Sequence, residues 1–236
     1  MAIAFLSARW SNLILITYAV PPALLTPHLP RGVELDTRDG QAFASLVAFD
    51  FEDTRVLGVA WPGFRRFAEM NLRFYVRQGQ RRGVMFIREI VPQWLVAAIA
   101  RGAYNEPYVA APLHSATTRS AATLTVEHRL RWRGALQRVS ATGSLATERP
   151  AADSAEHFFK EHEWGFGRSR LGRTISYQVI HPHWDIYPLL DWQVDLDWAA
   201  VYGPQWAFLQ AAQPYSTVFA VGSAVQVYLK RSLGAS

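Results

Sequence analysis

Two strand-like segments joined by a short polar turn limit how this chain can fold more than any other stretch. Phe67–Val76 and Val84–Val91 flank Arg77-Gln-Gly-Gln-Arg-Arg-Gly83, the pattern of a β-hairpin. Side chains alternate across a strand. One face of the first strand carries Met70, Leu72, Phe74 and Val76; the other carries Phe67, Glu69, Asn71, Arg73 and Tyr75. The second strand is apolar on both faces near its start, as expected of a strand covered on both sides. With Val76 opposite Val84, Tyr75 falls beside Met85, Arg73 beside Ile87 and Asn71 beside Glu89. The polar face of the hairpin is then covered as well. Covered charges need partners. A carboxylate, an amide and a guanidinium in an apolar cavity make a ligand pocket; a structural ion pair or a solvated face is the alternative.

Other segments follow the same strand-and-turn grammar. Ala8–Val20 reads as a long strand closed by Pro21-Pro22, with a short helix over Pro22–Leu29. Val33–Leu35 and Gln41–Phe51 flank the turn Asp36–Gly40. Pro92–Arg101 is predicted helical, with Gly102 at its end, and Tyr108–His114 extended. Thr117–Trp132 and Leu136–Thr147 are strands. In the first, Arg129 and Arg131 alternate with Leu124, Val126, Leu130 and Trp132, giving one solvated basic face. Asp153 caps a helix reaching about Trp164, with Glu156 placed for a capping box. Arg173–His181 is a strand, Trp184–Ala211 is ambiguous, and Thr217–Lys230 is a final long strand. Hairpin-linked strands outnumber helices. The fold class is α+β, a mainly antiparallel sheet curved into a barrel or cone with flanking helices. No low-complexity linker divides residues 1–236, which read as a single domain.

Composition excludes several functions. The chain has no cysteine, so disulfides, zinc-thiolate sites, iron-sulfur clusters and cysteine nucleophiles are ruled out. The net charge of +5 comes from scattered arginines without a reading motif, which argues against a nucleic-acid partner. Met1–Arg9 lacks a basic n-region, and the apolar runs Leu13–Val20 and Trp94–Ala100 are too short to span a bilayer. A cytoplasmic protein without a membrane partner is expected. Neither a phosphate-binding glycine loop nor a Gly-x-Ser-x-Gly elbow is present.

Only Lys160 and Lys230 are lysines among 24 basic residues. A lysine can form an imine with a carbonyl substrate; a guanidinium cannot. Lys160 lies in the polar helical stretch Glu156–Glu163 and Lys230 near the C-terminus. Neither reads as buried in a pocket, so imine chemistry is not expected. A second polar segment, Ala100–Tyr108, carries Arg101, Tyr104, Glu106 and Tyr108 where a helix gives way to extended chain. His181-Pro-His-Trp-Asp185 has a metal-ligand spacing, which leaves a metal hydrolase using His181, His183 and Asp185 as an alternative. Residue 186 is Ile where such motifs continue with His, and His-x-His is more often structural. No metal and no cofactor are assigned. His128, on an apolar strand face, reads as a satisfied core histidine.

Ala8–Leu13, the stretch 20–36 from Val-Pro-Pro-Ala-Leu-Leu to Leu-Pro-Arg-Gly-Val-Glu-Leu-Asp, Phe67–Val76, Gly83-Val-Met-Phe86, Ala100–Tyr108 and His181–Trp184 together resemble the uncharacterised bacterial YqjF-like family. That family is in turn similar in fold to acetoacetate decarboxylase, a curved antiparallel β structure closing over an internal cavity. The decarboxylase resemblance aligns Ala100-Arg101-Gly102 with its Gly-Arg-Glu segment and Pro107-Tyr108-Val109 with its Pro-Lys-Lys. Tyr108 thus replaces the imine-forming lysine, and Val109 replaces the lysine that would depress its pKa. Glu69 resembles the pocket glutamate of that family and Arg101 its retained arginine.

These readings converge on a cavity with Glu69, Tyr108 and Arg101 as catalytic candidates and Asn71, Arg73, Tyr75 and Glu106 as ligand-binding candidates. The leading function is a lyase-like, non-imine enzyme acting on a small carboxylated or carbonyl compound. Arg73 or Arg101 would grip the anionic group, Glu69 would act as general acid/base, and Tyr108 would donate to an oxygen. A non-catalytic small-ligand-binding or sensory protein is the competing reading. The partner is a small, anionic molecule, and a homo-oligomer is compatible with the sequence.

Overall fold

The structure is a computed structural model describing residues 4–232; residues 1–3, part of the short apolar start, lie outside them. The strands are β1 (Leu6–Val20), β2 (Glu34–Leu35), β3 (Ala42–Val56), β4 (Phe67–Gln78), β5 (Arg81–Val91), β6 (Tyr108–Ala110), β7 (Leu113–Arg119), β8 (Thr123–Trp132), β9 (Ala135–Ser144), β10 (Trp164–Arg168), β11 (Thr174–Ile180), β12 (Leu189–Asp195), β13 (Ser216–Ala220), β14 (Ala224–Val227) and β15 (Arg231–Ser232). The helices are α1 (Pro22–Leu25), α2 (Trp94–Tyr104), α3 (Ala155–Lys160) and α4 (Trp198–Tyr202). Seven strands close on themselves in the order β4, β3, β1, β14, β11, β10, β5 and back to β4. Every pair in this circuit is antiparallel except β10 with β5. Strands β7, β8, β9 and β12 form a second antiparallel sheet.

Alternation along β4 decides what lies where. Met70, Leu72 and Phe74 point out of the barrel and share one apolar layer with Val126, Leu130 and Val139 of the second sheet and Trp198 and Val201 of α4. Phe67 points inward, packed with Leu13, Leu15, Phe49 and Phe51. Both faces of β4 are therefore covered, and a solvated polar face is excluded: Glu69 and Asn71 are each 2 % exposed.

The pairing of β4 with β5 differs from the simple register in an informative way. Val76 faces Gly83 and Tyr75 faces Val84, one step from the expected pairing, yet Asn71 still faces Glu89. A bulge reconciles the two ends. Leu72 pairs with Arg88 and Arg73 with Phe86, leaving Ile87 as the extra residue. Val84, Phe86 and Glu89 consequently line the interior. Arg88, which unbroken alternation would have turned inward, instead lies outside over the ring of Trp132 and donates to the Val201 carbonyl.

Several boundaries shift from the sequence expectation for local reasons. Helix α2 passes through Gly102 and ends at Asn105, which takes the left-handed conformation (φ 56°). The extra turn is held by Tyr104, whose ring packs edge-on against Tyr177 and Phe5. The cap of α3 is Ser154, which accepts from the His157 N–H at 3.1 Å, not Asp153; the helix stops at Lys160 and Trp164 opens β10. The expected strand Thr117–Trp132 is two strands around a turn in which Ser120 Oγ accepts from the backbone of Ala122 and Thr123. The final strand breaks at Gly222 (φ 76°), where a Cβ would stand 2.1 Å from the Trp10 carbonyl oxygen. The ambiguous segment contains β12, α4 and a 3-10 turn over Pro204–Gln210. Among the described residues, no helix is long and apolar enough to cross a membrane.

Gly222 yields a stability prediction. Gly222→Ala adds both a clash with Trp10 backbone and positive-φ strain, and should lower stability by about 1–3 kcal/mol. Denaturant midpoints measure this; an unchanged midpoint would mean that β1 and β14 can separate freely at this turn.

Candidate functional site

The barrel surrounds a cavity of about 410 Å³. Its walls are mainly aromatic and aliphatic: Trp10, Phe49, Phe51, Phe67, Trp164 and Trp184 all face it. Trp61, Leu95 and Ile99 also border it and are exposed, placing an apolar rim where the cavity meets the surface. Polar groups are few and come from five places. Strand β4 supplies Glu69, Asn71 and Arg73, and β5 supplies Glu89 through its bulge. The α2–β6 junction supplies Glu106 and Tyr108; β11 supplies Tyr177. The α3–β10 junction supplies Lys160 and His162.

Glu69 is the hub of the acidic end. Its Oε2 accepts from the Tyr108 hydroxyl and its Oε1 from Asn71 Nδ2, each at 2.9 Å. Glu106 Oε1 accepts from the Tyr177 hydroxyl at 3.0 Å. Tyr177 reaches Glu106 only because Gly165 lies beneath its ring, where a Cβ would come within 2.0 Å. Glu89 Oε2 is buried without a partner. Burial is the main force on all three carboxyls. It pushes Glu69 up to about 7 against the bonds from Asn71 and Tyr108 and the charge of Arg73. It pushes Glu106 up to about 8, with the charge of Glu69 adding to the shift and the Tyr177 bond opposing it. Glu89 is driven well above the carboxylate range by burial and then by its two acidic neighbours. The same burial and the same carboxylates raise Tyr108, keeping it a phenol donor.

The opposite side of the cavity is basic. Arg73 does not meet Glu69. Its Nη2 donates to the Phe159 carbonyl at 3.0 Å, and its Nε is buried without a partner. Lys160 corrects the sequence reading outright: it is 2 % exposed, lines the cavity and donates Nζ to Glu161. The aromatic pair Phe158-Phe159 pins α3 against Tyr75 and carries the lysine inward. His162 is buried beside it, bonded through Nε2 to Asp36 at 3.2 Å and pushed down to about 4 by burial, so its ring is neutral at pH 7.

The structure thus brings Glu69, Asn71, Arg73, Glu106 and Tyr108 to one cavity and leaves out two of the seven candidates. Arg101 is exposed on α2, its guanidinium 3.4 Å from the Tyr108 carbonyl oxygen and outside the cavity lining. Tyr75 is buried, but its hydroxyl bonds Ser45 and the Phe159 carbonyl, and its ring packs on Phe159 and His162 rather than lining the cavity. The histidine motif does not assemble either. His181 stacks on Trp184 with ring centroids 4.4 Å apart, and Asp185 pairs with Arg149 at 2.7 Å. His128 is buried, its Nε2 3.2 Å from the Asn12 carbonyl. Sequence reasoning missed Glu89, Tyr177, Lys160 and His162. For Glu89 the signal was present, since it stood opposite Asn71 in the proposed register.

The raised carboxyls give a pH prediction with a definite sign. An unfolded glutamate releases its proton near the ordinary 4.5, whereas folded Glu106 keeps it up to about 8. Between these values the native state binds more protons. This stability contribution is therefore full below about pH 4.5 and lost as pH rises through 8. Glu106→Gln, which preserves an acceptor for Tyr177, should flatten the loss and gain on the order of 2 kcal/mol over wild type at pH 9. Urea titrations at pH 5, 7 and 9 measure it; parallel pH curves for the two proteins would refute the assigned shift.

Comparison with known proteins agrees with this fold. Residues 7–224 match a protein family, DUF2071, described as an uncharacterized conserved protein. The uncharacterized protein YqjF of Bacillus subtilis (strain 168) is 31% identical over 107 residues, spanning 45% of this chain and 44% of that relative. The fold is similar to an acetoacetate decarboxylase-like enzyme from Sphingomonas wittichii RW1 (TM-score 0.67, 14% identity, covering 99% of this chain and 94% of the other). It is also similar to acetoacetate decarboxylase from Legionella pneumophila subsp. pneumophila str. Philadelphia 1 (0.62, 14%, 98% and 88%). A third similar structure is the enduracididine biosynthesis enzyme MppR complexed with pyruvate (0.64, 15%, 97% and 90%).

Proposed function

This chain belongs to the DUF2071 family and has an acetoacetate decarboxylase-like fold, and we propose from its cavity that it is a lyase-like, proton-transferring enzyme acting on a small carbonyl compound that carries a carboxylate. The observation that carries the reading is the hydrogen-bonded chain from half-buried Tyr108 through buried Glu69 to buried Asn71. It holds a carboxyl titrating near 7 at the wall of an apolar cavity. A general base works best when its pKa lies near the working pH, and burial is the usual means of bringing a glutamate there.

Each group has a separable part in this proposal. Arg73 has no carboxylate within salt-bridge distance among the described residues and keeps an unpartnered Nε; it anchors the anionic end of the substrate. Glu69 takes a proton from the carbon next to the carbonyl. The C–H electron pair moves into the carbon–carbon bond, and the carbonyl π pair moves onto oxygen. Protonation of Glu69 frees the Tyr108 hydroxyl, and that hydroxyl, with the protonated carboxyl of Glu89, donates to the enolate oxygen. Asn71 fixes the orientation of Glu69. The aromatic walls limit water, which strengthens these interactions. Either the proton returns from Glu69 to carbon and the carbonyl re-forms, or the carbonyl re-forms as the enolate pair expels a leaving group from the carbon β to it, which departs with the bonding pair and takes the proton from Glu69; neither course needs an external oxidant or reductant.

Pyruvate, the compound held by the MppR neighbour, is the first probe, and acetoacetate the second. In D2O the protein should exchange their carbon-bound hydrogens, followed by NMR. Glu69→Gln should slow exchange by ~10²–10⁴-fold, the usual contribution of a positioned acid/base. Tyr108→Phe should lower the rate with little change in stability, because only one oxygen is removed. Binding of either compound without exchange would favour the ligand-binding reading. Because Lys160 stands in the cavity, acetoacetate with borohydride is the complementary trial: the proposal expects no reduced adduct on Lys160, and an adduct seen by mass spectrometry would replace it with imine chemistry.

A further inference from the structure

A second set of ligating side chains converges at the C-terminal end of α3, apart from the acidic end of the cavity. His157, Glu161 and His183 each bring one ligand atom to within 4.8 Å of the others. His157 and Glu161 are four residues apart, so the last turn of α3 places them on one side, and the Glu161 N–H closes that turn on the His157 carbonyl at 3.2 Å. His183 comes from the segment after β11. Its ring lies nearly parallel to that of His157, with centroids 5.6 Å apart, and its Nδ1 is 3.0 Å from Glu161 Oε2.

The two oxygens of Glu161 have different neighbours. Oε2 faces His183, while Oε1 accepts from buried Lys160. That division leaves one carboxylate oxygen for a cation and ties the other to a group behind it, the usual outer support of a metal-ligating carboxylate. The contact between His183 Nδ1 and Glu161 Oε2 is one that a divalent ion can take over from a proton. Two imidazoles and a carboxylate suit zinc and its neighbours rather than calcium or magnesium, which prefer oxygen-only shells. Three protein ligands leave a further position, and exposed His183 opens that side to water.

We propose that His157, Glu161 and His183 form a divalent-cation site of the zinc class, which clamps the α3–β10 junction to the segment following β11. Of the run His181-Pro-His-Trp-Asp185, only His183 takes part. The site fixes the stretch of chain that carries Lys160 and His162 into the cavity wall. Its test reads metal binding, so it stands or falls separately from the enolisation proposal.

The full chain, stripped with EDTA and dialysed, is titrated calorimetrically with zinc chloride and in parallel with cobalt chloride, whose absorption reports the ligand set. One zinc per chain is expected, with a thermal midpoint that rises with zinc concentration. His183→Ala, at an exposed position, and His157→Ala should each weaken binding by at least ~10-fold. Asp185→Asn should bind as wild type does. The proposal is overturned if wild type takes up no zinc, if His183→Ala binds as tightly as wild type, or if Asp185→Asn loses as much affinity as His183→Ala.

Discussion

The extra residue in β5 decides which charges the barrel interior must accommodate. Strand alternation would otherwise place Arg88 inward beside Phe86 and Val84. With Ile87 unpaired, the inward set becomes Val84, Phe86 and Glu89, and Arg88 is turned out onto Trp132. Glu89 then joins Glu69 and Glu106, and three carboxyls share a low-dielectric space. They cannot all carry charge there: burial raises the proton affinity of each, and the neighbouring carboxylates add to it at Glu89 and Glu106, against the hydrogen bonds that Glu69 and Glu106 accept. Tyr108 and Tyr177 fit the same constraint: each gives a hydrogen bond to a carboxylate and none introduces a new charge.

The cavity is electrically divided. Its acidic end is formed by β4, β5, β6 and β11; its basic groups, Arg73, Lys160 and neutral His162, lie where α3 leads into β10. Arg73 sits between these regions. Its guanidinium leans on a backbone carbonyl instead of neutralising Glu69. A direct Arg73–Glu69 ion pair would lower the proton affinity of the carboxyl and make it a weaker base for the proposed reaction. Separation by the neutral amide of Asn71 keeps both groups available.

Much of this was legible in the chain because alternation has an unambiguous period. Because both faces of the 67–76 strand read as covered, the inward placement of Glu69, Asn71 and Arg73 follows. What the sequence hid were positions fixed by single-residue irregularities. The bulge at Ile87 moved the register at one end of the hairpin without changing it at the other, so Asn71 met Glu89 for a reason that simple pairing did not contain. Lys160 reads as exposed because Glu156–Glu163 is polar by composition. The burial comes from tertiary packing of Phe158 and Phe159 against Tyr75, which no helical pattern over so short a stretch reveals. Arg101 is a candidate through its alignment with a distant fold relative, and the helix, running three residues past it to Tyr104, carries it to the outer surface. The His-x-His-x-Asp spacing failed for a similar reason: spacing constrains direction only in regular structure, and that segment is irregular.

Helix α2 connects two parts of the molecule that are usually described apart. Leu95 and Ile99 on this helix help frame the apolar opening, and the chain leaving its last turn at Asn105 delivers Glu106 and then Tyr108 to the interior. The doorway and two of the polar groups beside Glu69 are thus mounted on one lever. A guest bulky enough to push the helix aside would also draw those side chains out of register with Glu69. Under the proposed reaction, size selection on such a scaffold would be expressed in turnover as well as in occupancy, with the grip of Phe5 and Tyr177 on Tyr104 resisting the displacement.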